Sequence, residues 1–178
     1  MTTIIALSGK KQSGKNTVAK LLAKHSGLKC IEIGFADALK CEVATACGVT
    51  VEYINQNKSM FRLILQGWGT DYRRSLNSTY WLKKFLKKFM EKFNQQMIAE
   101  DFGLVLVTDV RFHNEHSLCN TLGAVMVRVE RNGLPEDYHV SETALDGEEF
   151  HFRINNNSDF DHLEEECVKL LKEIKLIK

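Results

Sequence analysis

The stretch Gly9 to Thr17, GKKQSGKNT, carries the residue types that handle phosphate. Gly9 and Gly14 bracket four residues and Lys15 follows, which is the phosphate-binding spacing G-x-x-x-x-G-K up to its last position. Glycines let backbone N–H groups turn inward around an anion, the amino end of a following helix adds partial positive charge, and Lys15 reaches the outer phosphates. Ser13 adds a hydroxyl inside the loop. The predicted ligand is a nucleoside triphosphate, and with the full spacing and the lysine present a chance Gly-containing connection is the minority reading. One position departs: Asn16 stands where most such loops carry the Ser or Thr that helps hold magnesium, and Thr17 comes one place later. Asparagine can offer a neutral carbonyl oxygen to a hydrated magnesium ion, so the departure bears on the metal's inner shell rather than on the phosphate cradle.

A second group of chemistry-bearing residues lies between 58 and 81, KSMFRLILQGWGTDYRRSLNSTYW, with Arg62, Gln66, Gly67, Gly69, Thr70, Arg73, Arg74 and Trp81. Arginine forks suit phosphate, rings suit stacking and an amide suits base edges, so the stretch reads as a pocket for an aromatic anion. The plain alternative is a polar turn with solvated arginines, and the phosphate loop upstream favours the pocket. Single acids stand after two apolar runs. Asp37 follows CIEIG (Cys30–Gly34), where it would line a ligand site or cap the next helix, or both. Asp109 follows LVLVT (Leu104–Thr108), where an acid can hold magnesium through water, or pair with Arg111 structurally.

These residues need elements to hold them. Ile4 to Leu7 is an apolar strand candidate leading into the loop, and Val18, Leu21 and Leu22 share one face of a helix after it. Cys30 to Gly34, Leu104 to Thr108, Ala124 to Val129 and Phe152 to Ile154 are further strand candidates, the Leu104 run being apolar enough for burial on both faces. In WLKKFLKKFMEKF, Trp81, Phe85, Leu86, Phe89 and Phe93 share a helical face with lysines opposite, expected to pack on a sheet rather than on a membrane. A polar loop from Arg131 to Leu145 contains His139, Ser141 and Glu142, long enough to move; His139 lacks a second ligand at metal spacing. The last helix is expected to be capped by Ser158 and to bury Leu163, Cys167, Leu170 and Leu171. Alternating strands and helices predict a three-layer α/β fold with a mainly parallel sheet of about five strands.

Lys+Arg 24 against Asp+Glu 23 in 178 residues gives a formal net charge of +1, so nothing global recommends nucleic acid or an anionic membrane as partner. The five cysteines include no C-x-x-C pair and are expected as small buried hydrophobes, their thiols reduced. The chain runs straight into its first strand without a basic or long apolar leader, so the expected location is the cytoplasm, the host's if a phage encodes it.

GKKQSGKNT, RLILQGWGTDYRR with Trp81, TDVRFHNE and HVSE, in this order, resemble deoxynucleoside monophosphate kinases of the bacteriophage type, within the P-loop nucleoside monophosphate kinase superfamily. The likeness covers Ile4 to about Asn157. It implies transfer of the γ-phosphoryl group of ATP, with Mg2+, to a deoxynucleoside 5′-monophosphate. On the ATP side it implies Gly9, Lys10, Ser13, Gly14, Lys15, Asn16, Thr17 and Asn156, with Asn16 and Asp109 toward the metal. On the acceptor side it implies Asp37, Lys40, Arg62, Gln66, Gly69, Thr70, Arg73, Trp81, Ser141 and Glu142. Lys15, Arg131 from the lid and Arg111 from beneath are the implied catalytic cations. Members of that family often carry Asp at the place of Asn16. The implied organisation is one domain over 1–178 with an acceptor-binding insertion about 55–100 and a lid about 131–145; homodimer formation stays open. Rival readings are a P-loop kinase of another small metabolite, such as a coenzyme precursor, and a non-catalytic nucleotide-binding module.

Overall fold

The computed structural model describes residues 2–97 and 103–178. The strand leading into the phosphate loop, β1 (Thr3–Ser8), lies at the centre of a sheet. It pairs in parallel with β3 (Leu104–Val110) on one side and β4 (Val125–Glu130) on the other. The edges are β2 (Cys30–Ile33) and β5 (Phe152–Asn155), giving the all-parallel order β2-β3-β1-β4-β5. Helices cover both faces, which is why β1 and β3 read as continuous apolar runs instead of alternating.

On one face α1 (Lys15–Ser26) and α8 (Phe160–Glu173) pack Val18, Leu21, Leu22, Leu163, Cys167, Leu170 and Leu171 against Ile5, Leu7, Leu104 and Val127. Full burial of each such leucine is worth roughly 1.5–3 kcal/mol. On the other face α5 (Tyr80–Met97) lays Phe85 and Phe89 over Phe35, Val105 and Val107, beside α6 (His113–Thr121). The Phe35 and Phe85 rings stack at 4.0 Å. A smaller cluster of Val43, Ala44, Ile54 and Phe61 joins α2 (Ala36–Cys47), α3 (Val51–Gln56) and α4 (Lys58–Gln66). Since every strand runs the same way, their carboxyl ends share one edge of the sheet. The register sets Ser8, the last residue before the loop, between Val110 and Arg128.

Two local expectations are corrected, and the polar-turn alternative for the two-glycine stretch is ruled out. Asp159, not Ser158, caps α8, its carboxylate accepting the His162 N–H at 2.9 Å. β3 runs on through Asp109 to Val110, so that acid lies inside the strand. The stretch with two glycines is no turn: α4 continues into a π-helical segment, Gly67–Arg74, a wider winding that often marks functional positions. A Cβ at Gly69 would stand 2.7 Å from a methyl of Leu39 on α2, so that side chain would have to shift to admit one.

Candidate active site

The loop between β1 and α1 curls through three residues of positive φ, Gly9 (148°), Gln12 (64°) and Gly14 (101°). A Cβ on Gly9 would meet the Val129 carbonyl at 2.5 Å, so the glycine serves close approach as well as conformation. Lys15 is the first residue of α1, and its Nζ donates to the carbonyls of Gly9 and Lys10, each at 2.7 Å. Burial, with the Arg111 guanidinium acting the same way, pulls the Lys15 ammonium down to about 7. The Ser13 hydroxyl is buried and has no hydrogen-bond partner among the described residues. A curled loop without room for a Cβ at Gly9 or Gly14, an orphaned buried hydroxyl, a buried lysine and a helix amino terminus together fit a polyphosphate. Asn156 buttresses the loop by donating to the Ser13 carbonyl at 2.9 Å, and Lys10 pairs with Asp146 at 3.1 Å. Asn16 is exposed and Thr17 half-buried, on the first turn of α1.

One buried carboxylate ties this loop to the cations around it. Glu142, in the short helix α7 (Val140–Thr143), accepts the Lys11 N–H at 2.7 Å through Oε2. Its Oε1 accepts from Arg111 and stands 3.5 Å from Arg62 Nη2. Arg111 also reaches the Ser141 carbonyl at 3.3 Å. Burial pushes the Glu142 carboxyl up, but the Arg111 guanidinium and the Lys11 N–H outweigh it and hold the carboxyl below its ordinary value. Arg62 is bonded in turn to Asp137. Sequence reasoning placed Arg62, Arg111, Ser141 and Glu142 in one site, and the structure brings these four together. It missed Lys11 and Asp137, whose roles depend on contacts across the chain.

Asp109 is corrected. Its two oxygens accept the N–H groups of Phe35, at 2.6 Å, and Ala36, at 3.0 Å, so it tethers the start of α2 instead of presenting itself to a metal. Burial pushes its carboxyl up. Nor is Arg111 its ion-pair partner, that place being taken by Glu142. Asp37 is not the cap of α2, that position being Phe35; it lies in the first turn, accepts the Gly34 N–H at 3.1 Å and pairs with Lys88 at 3.0 Å.

Behind Arg111 stands Glu115, in the first turn of α6 where the sequence has it open a helix after DVRF, a readable capping signal. Its Oε2 accepts the N–H groups of Arg111 at 2.9 Å and Phe112 at 3.3 Å, and Oε1 takes Arg74 at 2.5 Å. Burial pushes the Glu115 carboxyl up to about 7 against the pull of Arg74.

Within the π-helical segment, the Arg73 guanidinium lies over the rings of Tyr80 at 5.0 Å, Tyr72 at 5.3 Å and Trp68 at 5.9 Å, with Glu42 at 3.3 Å. Gln66, Thr70 and Lys40 are half-buried, and no hydrogen bond links them to the loop among the described residues. Trp81 is corrected: it is 3 % exposed and its indole N–H donates to the Gly69 carbonyl at 2.8 Å, so it holds the π-helical backbone and offers no open stacking face. Arg131 is exposed after β4 and makes no ion pair among the described residues. Arg128 is the buried cation of that strand, bonded to Ser8 Oγ at 3.0 Å and Asp146 at 2.6 Å. A charge inside the apolar run AVMVRV was the signal for it.

A family model described as deoxynucleotide monophosphate kinase matches residues 36–167. A protein of Acanthamoeba polyphaga mimivirus assigned as a deoxynucleotide monophosphate kinase is 31% identical over 159 residues, covering 80% of this chain and 81% of that protein. Among solved structures, dephospho-CoA kinase from Campylobacter jejuni aligns with a TM-score of 0.53 at 14% identity, covering 98% of each chain. A sugar kinase from Janibacter sp. HTCC2649 aligns with a TM-score of 0.52 at 14% identity, covering 99% of this chain and 96% of that one. At such identities these two structures speak to the fold, that of the P-loop kinases.

Proposed function

The chain belongs to the deoxynucleotide monophosphate kinase family, and we propose that within it the protein transfers the γ-phosphoryl group of ATP to a deoxynucleoside 5′-monophosphate, giving ADP and the diphosphate. The observation that carries this reading is the meeting around Glu142 of a backbone N–H of the phosphate loop, at Lys11, with two guanidiniums, Arg111 just after β3 and Arg62 in α4. A backbone donor of the triphosphate loop and the cations expected to serve the acceptor are thereby neighbours, as a transfer between two phosphates requires.

The acceptor is already an anion at neutral pH and needs no base, so catalysis consists of positioning and compensation of charge on the transferring group. In this reading Gly9, Lys10, Ser13, Gly14 and Lys15 hold the triphosphate and Asn156 keeps the loop in shape. Arg62 and Arg111 hold the acceptor phosphate, and Gln66, Thr70 and Arg73 face its nucleoside from the 55–100 insertion. Arg131 closes from the 131–145 lid. Magnesium would enter with ATP at Asn16 and Thr17, whose neutral oxygens suit a hydrated ion, and there it would neutralise phosphate charge. Among the described residues no helix is long and apolar enough to cross a membrane. The test is ADP release, measured by a coupled assay, with each of the four deoxynucleoside monophosphates and their ribose counterparts. ATP consumption that no monophosphate stimulates would overturn the reading.

A further inference from the structure

The two arginines assigned to the acceptor are both occupied by acids from one short segment. Asp137 takes Arg62, and Glu142 takes Arg111 while standing 3.5 Å from Arg62. Glu142 is 5 % exposed and its other oxygen accepts a phosphate-loop N–H at 2.7 Å. A loop amide and two guanidiniums around one planar anion is the arrangement by which proteins hold a phosphate. We infer that the Glu142 carboxylate fills the subsite of a phosphomonoester dianion, and that the incoming phosphate displaces it from Arg111 and Arg62. This rests on the kinase reading above.

Two features support displacement over permanent residence. A phosphomonoester carries more negative charge than a carboxylate and three acceptor oxygens against two, so it competes well for the same guanidiniums. The segment that carries Glu142 is also incompletely satisfied where it lies. The Ser141 N–H donates to His139 Nδ1 at 3.2 Å, which makes Nδ1 an acceptor and puts the proton of the neutral ring on Nε2. That Nε2 is buried without a hydrogen-bond partner among the described residues, an arrangement that favours the alternative in which the segment lifts and the donor is met. The tethers to be released are few: α7 is four residues long, and besides Glu142 the segment is held by the Asp137 pair with Arg62 and by the Arg111 bond to the Ser141 carbonyl.

The consequence is that wild-type protein binds phosphate less tightly than its cations would allow, because only the fraction with Glu142 displaced is competent. The experiment is titration of wild type and of Glu142→Gln with inorganic phosphate alone, followed by calorimetry, with a thermal melt of each variant. The glutamine keeps the shape and loses the charge. Expected is binding roughly tenfold tighter in Glu142→Gln, the gain when the competent fraction of the wild type is about a tenth. Equal or weaker binding by a folded Glu142→Gln would overturn displacement and leave Glu142 as a fixed support of Arg111. Should that variant not fold, wild type decides: deuterium exchange of the peptide spanning 137–144 should quicken when phosphate is added, and slower or unchanged exchange would overturn the inference. Neither readout involves turnover, so a protein inactive on every monophosphate would fail the kinase reading without touching this result.

Discussion

Lys15 Nζ lies 2.7 Å from the Gly9 carbonyl oxygen, so the lysine of the phosphate loop is folded back onto the loop's own backbone. Burial and Arg111 pull its ammonium from the ordinary 10.5 down to about 7, and bound phosphates would restore the charge. At pH 8 about nine-tenths of such a group is neutral, so ATP binding should take up close to one proton. Calorimetry in two buffers of different ionisation enthalpy measures this uptake, and Lys15→Met should abolish it.

The same shift acts on stability in the free protein. Between about 7 and 10.5 the unfolded chain binds more protons at Lys15 than the folded one, so this group makes stability rise with pH across that window. Lys15→Met should remove this rise from denaturant midpoints measured along a pH series. In kinetics Lys15→Ala should stay folded and lose roughly 10³-fold or more in turnover.

Glu115 holds two arginines at once, Arg74 by its side chain and Arg111 by its backbone. Glu115→Ala strands the Arg74 charge in the interior and should cost about 3–5 kcal/mol, read by denaturant unfolding. A loss below about 1 kcal/mol, the worth of an exposed pair, would show Arg74 finding water instead.

Trp81→Phe removes the indole donor to the Gly69 carbonyl while keeping the ring. The expected effect is about 1–2 kcal/mol of stability, with the monophosphate KM little changed once the protein is folded. A large rise in KM at unchanged stability would return Trp81 to the substrate.

Arg131 stands exposed at the start of the lid, so it acts only if the lid closes. Arg131→Ala should lower kcat by roughly 10³-fold while substrate binding changes far less. A fall in kcat of less than about tenfold would leave it a solvated loop charge.

Asn16 is exposed on the first turn of α1, where a carboxylate would be a stronger ligand than its neutral oxygen for a hard cation. Asn16→Asp should therefore lower the magnesium concentration giving half-maximal turnover at saturating ATP and monophosphate. An unchanged midpoint would assign Asn16 to the helix end alone.

The sequence determined what is written in near neighbours. Gly9, Gly14 and Lys15 announce a phosphate loop because its geometry lies within a few bonds of backbone, and Val18, Leu21 and Leu22 announce a buried helix face because helical periodicity is local. Alternating elements were enough for a parallel three-layer sheet. Only the tertiary structure decided which acid meets which cation. Asp109 reads like a metal acid in sequence, yet amides 73 and 74 residues away claim both its oxygens. Glu142 meets a loop amide 131 residues away, and Asn156 meets one of the loop's carbonyls across 143. Arg128 and Arg131 are indistinguishable as charges, but only Arg128 lies on β4 in register with Ser8. Strand order and register are set by packing over the whole chain, and a buried ion's partner is whatever that packing brings within a few ångströms.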